Sequence, residues 1–275
     1  MSRLTSMSWA VVAGAVAAIP AVAGIGDANS KHNLGASGSS QISGNSPLGG
    51  TTEVCVFCHT PHGSDTSAAA PLWNKNLTGL GGAGYQRYSD LGTATLDGKE
   101  ATVGSVSIAC LSCHDGTQAM DAVINAPGSG LGSFGTGTPG NEMTGSPVPM
   151  LGTDLRNDHP ISIEYAGGAC ASATPGPCTP QTASTGDPDF QPADFASING
   201  NPQWWVNTSI GGSANRQKTD MILYTRDAGD GNIVTAGPAV ECASCHDPHN
   251  TASQPVQFLR IDNDNSDVCL ACHIK

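Results

Sequence analysis

The chain has 275 residues, of which 38% are hydrophobic, 5% aromatic and 12% charged, and a formal net charge of -12 at pH 7. Aromatic side chains carry much of the burial in ordinary domains, so this is a poor supply for a conventional core. The acidic balance argues against nucleic acid and anionic membrane surfaces as partners and fits basic proteins or cations.

Residues 1–23 read as a secretory signal. Arg3 gives a weakly positive start, the apolar run Trp9 to Ile19 is too short to span a bilayer, and Ala21-Val22-Ala23 is a small-x-small cleavage site. No later segment is long and apolar enough to cross a membrane. Export is therefore expected, with the product secreted, extracellular or at the cell surface after passage through the periplasm. Residues 24–50 form a Gly- and Ser-rich arm whose one landmark is Lys31-His32-Asn33-Leu34.

The stretch that follows reads Cys55-Val-Phe-Cys58-His59-Thr-Pro-His62. Cys-x-x-Cys-His is the attachment signature of haem c: two thiols add to the porphyrin vinyl groups and the adjoining histidine takes the iron. The pattern returns as Cys110-Leu-Ser-Cys113-His114, Cys242-Ala-Ser-Cys245-His246 and Cys269-Leu-Ala-Cys272-His273. A single match could be a zinc knuckle or a redox dithiol; four are hard to obtain either way. The expectation is four haems c per chain, with His59, His114, His246 and His273 as proximal iron ligands.

The chain has eight histidines, so His32, His62, His159 and His249 remain for the opposite faces of the four irons. The count closes, which predicts bis-histidine, six-coordinate haems of low potential and no iron open to substrate. A methionine (Met120, Met143, Met150 or Met221) could replace one of these ligands and would raise the potential there. His62 and His249 each lie three residues after a motif histidine, in His-Thr-Pro-His and His-Asp-Pro-His. Three residues reach about 10 Å, and Pro61 or Pro248 stiffens the tether. Each is therefore expected to ligate a haem other than that of its own motif, bringing two porphyrins close together.

Between the motif pairs, Pro71-Leu72-Trp73-Asn74 and a Gly-rich run from Gly79 lead to Thr93–Ile108, which suggests short strands or turns. Residues 115–241 are a loop-rich insert holding Asp158-His159-Pro160. Cys170 and Cys178 belong to no haem motif and bracket a turn-rich loop, so a disulfide is predicted between them in an oxidising compartment. The pair Trp204-Trp205 is expected to pack over porphyrin rather than serve as a binding platform. A short strand is expected from Met221 to Thr225, with Asp230-Gly231 turning it back on Ile233-Val234 as a hairpin. Ser266 is placed to N-cap a short helix carrying Cys269 to His273. The acidic run from Asp262 lacks the glycine and closing glutamate of an EF-hand loop, which argues against calcium there.

The segment from Gly237 to His249 echoes that from Gly50 to His62, and each copy is followed by a plain motif. The chain thus reads as two di-haem units, 51–114 and 242–275, separated by the 115–241 insert, within one tetrahaem unit spanning 24–275. This doubled arrangement resembles the cytochrome c3-like, paired-CXXCH family. It is more closely similar to the OmcE-type tetrahaem extracellular nanowire cytochromes, on His32, the Cys55–His62 stretch, Pro71–Asn74, Cys110–Thr117, Asp158–Pro160 and the closing pair of motifs.

The resemblance implies a mostly coil fold, with short helices and few short strands wrapped around a closely packed haem chain. It also implies head-to-tail homopolymers in which one axial histidine crosses to the next subunit; His62 is the first candidate and His32 the second. The function expected is electron transfer along a conductive filament to extracellular acceptors such as metal oxides, and no enzymatic activity. Two alternatives stand beside it: a monomeric periplasmic electron shuttle, and a multihaem reductase, which would need an iron with an open position.

Overall fold

Glycines and prolines spread along the chain leave few runs long enough for a regular element. The computed structural model describes residues 24–35, 38, 51–80, 84–128, 137, 139–145, 149–208, 215–250 and 258–274. The signal segment expected at 1–23 lies outside the described residues. Among them the helices are α1 (Ser107–His114), α2 (Cys242–Cys245) and α3 (Asp267–Leu270), with a 3₁₀ turn at Val54–Phe57. No described helix is long and apolar enough to cross a membrane. Each of these turns carries the first cysteine of one attachment motif. A helical turn sets residues i and i+3 on one side, so both thiols of a motif can reach one porphyrin edge.

Helix α1 forms because Ser107-Ile-Ala-Cys-Leu-Ser-Cys-His contains no glycine or proline, and Gly116, at φ 72°, stops it. The expected cap of α3 needs correction. Ser266 holds the N-cap position but is left-handed, at φ 70°, and makes no capping bond. Asn263 Oδ1 instead accepts the Val268 N–H at 3.3 Å. The helix also stops at Leu270, so it carries Cys269 but not the rest of the motif.

The insert is more ordered than its composition suggests. All five strands fall within it: β1 (Ile163–Glu164), β2 (Asp194–Ile198), β3 (Asn201–Val206), β4 (Met221–Arg226) and β5 (Gly237–Val240). They form one antiparallel sheet in the order β1-β5-β4-β3-β2. Strands β2 and β3 are joined by Asn199-Gly200, at φ 53° and 82°, the positive pair that a two-residue turn requires. The chain also turns at Asp230-Gly231, where the Ile233 N–H reaches Asp230 O at 3.0 Å. The returning strand, however, is β5 and not Ile233-Val234, with Arg226 opposite Gly237. The reason lies in burial. Val234 is 67% exposed, whereas every residue of β5 is buried.

One face of the sheet builds a conventional core from Tyr165, Trp204, Val206, Met221 and Leu223, against which Cys245, Val268, Ala271 and Cys272 pack. Trp204 therefore belongs to a protein core and not to a porphyrin cover. Its ring lies 5.2 Å from Phe195, and its Nε1–H donates to Gly176 O at 2.9 Å. That carbonyl sits in the loop closed by the Cys170–Cys178 disulfide, which is present as expected. A second cluster, with Tyr85, Val103, Ile108 and Leu111, seats α1. A third, of Leu34, Phe57, Met120 and Met143, surrounds Cys58 and Cys113. The methionines considered as iron ligands lie in or against these clusters, Met120 and Met221 fully buried and Met150 packed against the third.

Two buried charges tie the clusters together. Lys75 is fully buried, and its Nζ donates to the carbonyls of Ala119, Met120 and Ala122 at 3.0–3.2 Å. Glu241 is buried beside the N-terminus of α2. It accepts hydrogen bonds from Ser107 and Ser162, and Arg226 Nη1 lies 3.5 Å away. Burial pushes its carboxyl up to about 7, against the opposing pull of Arg226 and the two serines.

Lys75→Met leaves three buried carbonyls without a donor and is expected to cost about 3 kcal/mol or more, read as a lower urea midpoint of the haem-loaded protein. Glu241 binds its proton more tightly folded than unfolded, where its pKa is about 4.3. Its contribution to stability is therefore full below that value and is lost as pH rises through about 7. Urea midpoints should fall across this window, and Glu241→Gln should flatten the fall.

Candidate haem centres

The four attachment motifs come together in chain order. The Cys58 thiol neighbours Cys113. The Cys242 N–H donates to Ser107 Oγ at 2.9 Å, which brings the start of α2 to the first turn of α1, the helix that carries Cys110. Cys245 neighbours Cys269 and Cys272. Burial pushes the Cys58 and Cys272 thiols up to about 12.

The histidines are oriented by main-chain carbonyls. His59 Nδ1 lies 2.8 Å from Pro71 O, His114 Nδ1 2.8 Å from Pro149 O, His32 Nδ1 3.2 Å from Pro248 O, and His159 Nδ1 2.9 Å from Pro160 O. A carbonyl can only accept, so Nδ1 carries the proton and Nε2 keeps its lone pair. That is the tautomer an iron requires, fixed in the way metal-binding histidines usually are. His249 is held at its backbone, whose N–H donates to Asp247 Oδ1 at 3.0 Å, with Nδ1 3.5 Å from the same oxygen. Burial pushes His32 down to about 4 and lowers His114 as well, so both imidazoles are neutral.

Two pairs of imidazoles face each other. His59 and His249 have ring centroids 6.0 Å apart with planes 16° from parallel, and His32 and His114 are 6.3 Å apart at 73°. Two metal–nitrogen bonds of about 2 Å plus the two ring radii would separate a trans pair by about 6 Å. Both pairs have that centroid spacing. Phe258 stacks on His32 at 4.1 Å and 3°, and His32 and His249 are near neighbours through Pro248. His246 lies close enough to feel His32 and His114, while His273 tilts against Phe190 at 4.4 Å.

His62 and His159 are not brought to another imidazole among the described residues; both are exposed. The turn bearing His62 is held from behind, where Asn125 Nδ2 donates to its carbonyl at 2.8 Å. Among the described residues no three His, Cys, Asp or Glu side chains converge as a tetrahedral zinc site would require. The donor set thus suits a porphyrin: paired thiols on a helical turn, an adjoining imidazole, and in two cases a second imidazole across the gap.

The sequence reading missed the residues that orient these ligands. Pro160 adjoins the histidine it orients, whereas Pro248, read only as a stiffener beside His249, orients His32 from 216 residues away. Pro71 and Pro149 lie 12 and 35 residues from the imidazoles they hold, and Phe258 has no local signal at all.

No curated protein matches the chain. A family profile for the doubled CXXCH motif matches residues 234–275, which hold β5, α2, α3 and the third and fourth attachment sites. That match supports a multihaem c-type cytochrome, with covalently bound haem and a role in electron transfer.

Proposed function

We propose that the chain is a secreted tetrahaem cytochrome c with bis-histidine irons, which polymerises head to tail into a conductive extracellular filament. The observation that carries the ligand assignment is the facing of His59 by His249 and of His114 by His32, at the spacing of trans ligands. In this reading His62 and His159 serve the irons over His246 and His273. His32 is engaged within its own chain, which leaves the exposed His62 as the ligand that crosses to the next subunit.

The haems then form a line in the order of their motifs: Cys58 and Cys113 share one cluster, Ser107 on α1 bonds Cys242, and Cys245 and Cys272 pack on one core. Such a line passes electrons and leaves no iron for substrate, so the protein is not an enzyme. Acceptors outside the cell, such as metal oxides, suit a conductor of this kind.

Mass spectrometry of the purified protein should give the chain mass plus four haems. His249→Ala and His32→Ala should each convert one low-spin haem to a high-spin, carbon monoxide-binding form; unchanged low-spin spectra in both would overturn the ligand assignment. Electron microscopy of secreted material should show filaments, and His62→Ala should leave monomers that retain four haems. Monomers alone at high concentration of the unaltered protein would favour the periplasmic shuttle instead.

A further inference from the structure

His32 and His114 face each other with their planes 73° apart, whereas His59 and His249 lie 16° from parallel. The crossed pair is held by a third ring. Phe258 lies flat on His32, at 4.1 Å and 3°. The bond from His32 Nδ1–H to Pro248 O, at 3.2 Å, anchors one ring atom and lets the plane swing about it. A flat face against the imidazole removes that freedom. Phe258 is itself fixed through its backbone. Its carbonyl accepts the Asp247 N–H at 2.8 Å, Leu259 pairs with His246, and the Arg260 N–H donates to Cys245 O at 2.8 Å. Its φ of 59° lies in the left-handed region, which a bulky side chain seldom adopts and which its surroundings must hold in place. The ring that sets the plane of His32 is thus tied to the third attachment motif.

We propose that Phe258 is a positioning residue that holds the His32 imidazole crossed to that of His114, and thereby raises the reduction potential of the iron they would share. This rests on the ligand reading above. An imidazole donates π density perpendicular to its ring plane. Parallel rings raise one of the two iron d orbitals that receive it, which suits the single hole of ferric iron. Crossed rings raise both alike, so the ferric state is less stabilised and the two orbitals stay nearly degenerate. The reaction is one electron taken up by Fe(III) to give Fe(II), with both imidazoles kept and no proton moved. Near-degeneracy has its own signature, an electron paramagnetic resonance signal of large g anisotropy, where parallel rings give a rhombic one.

The test is electron paramagnetic resonance and redox titration of the haem-loaded protein. It compares Phe258→Leu, which loses the flat face, with Phe258→Tyr, which keeps it. The large-anisotropy signal is assigned as the one that disappears in His32→Ala. Phe258→Leu should keep four low-spin haems, move that signal toward the rhombic type and lower one midpoint potential. Phe258→Tyr should leave both as they are. The same change in both variants overturns the proposal, and so does an unaltered protein with no large-anisotropy signal. Should Phe258→Leu fail to take up haem, Phe258→Gly, which accepts a φ of 59° freely and also lacks the ring, is read in the same way. A large-anisotropy signal that survives in His32→Ala refutes the ligand reading and the proposal with it. One that survives unmoved in Phe258→Leu but not in His32→Ala refutes the proposal alone, since a ring that only fills space would alter stability and not the signal.

Discussion

An imidazole on each face of a porphyrin cannot come from one short stretch of chain. The motif histidine is fixed beside its cysteines, and the opposite face lies across a macrocycle that three residues cannot round. The proposed ligation on both faces would therefore demand long-range pairing, and the facing imidazoles have that character. His249 meets His59 from the far half of the sequence, and His32 meets His114 from the opposite direction. The two pairs of motifs echo one another in sequence, yet imidazoles from distant parts of the chain meet in space.

Such long-range pairing explains why a coil-rich chain spends its scarce aromatics on a sheet. The third and fourth motifs offer only one helical turn each, too little to hold their positions alone. The sheet supplies a rigid surface: Trp204 and Tyr165 on one side, with Cys245, Val268 and Cys272 pressed against them. Glu241 extends that surface to α1, because β5 runs directly into the residue that bonds Ser107. A carboxylate buried there costs desolvation, and its two serines and Arg226 offset only part of it. The cost is tolerated because the same group registers α2 against α1, through the Ser107 hydroxyl that also accepts the Cys242 N–H.

The attachment chemistry was legible in the sequence because it is local: five residues declare thiols and ligand together. The Cys170–Cys178 bridge was legible for the same reason, eight residues apart across a turn-rich loop. The mostly coil fold class was implied by the resemblance to multihaem cytochromes, and the few short helices and strands agree with it. What could not be read was the choice among turn signals. Asn199-Gly200 is the stronger hairpin sequence, yet attention fell on Asp230-Gly231, whose turn packs instead against Ala101 and Thr102. Trp204 was assigned to porphyrin because the composition suggested no protein core. Five strands from non-consecutive segments built one, and no windowed pattern reports that. Lys75 and Phe258 were missed because their roles are set by partners far away in the chain.

The proposed polymer follows from an asymmetry in the line of attachment sites. Its first motif ends in an exposed imidazole on a turn braced by Asn125, whose amide also reaches Thr60. Its last motif ends against the protein core, where the His273 ring tilts on Phe190 and the Ile274 N–H donates to Asp189 O. Two such different ends are not self-complementary, so a two-fold contact that buries both is disfavoured. A contact of one kind of end with the other is heterologous, and unless its rotation closes a ring it propagates without limit. An imidazole offered across that contact would make the iron itself the joint. Assembly and electron transfer would then depend on the same bond, and a subunit could not be added to the filament without being added to the wire.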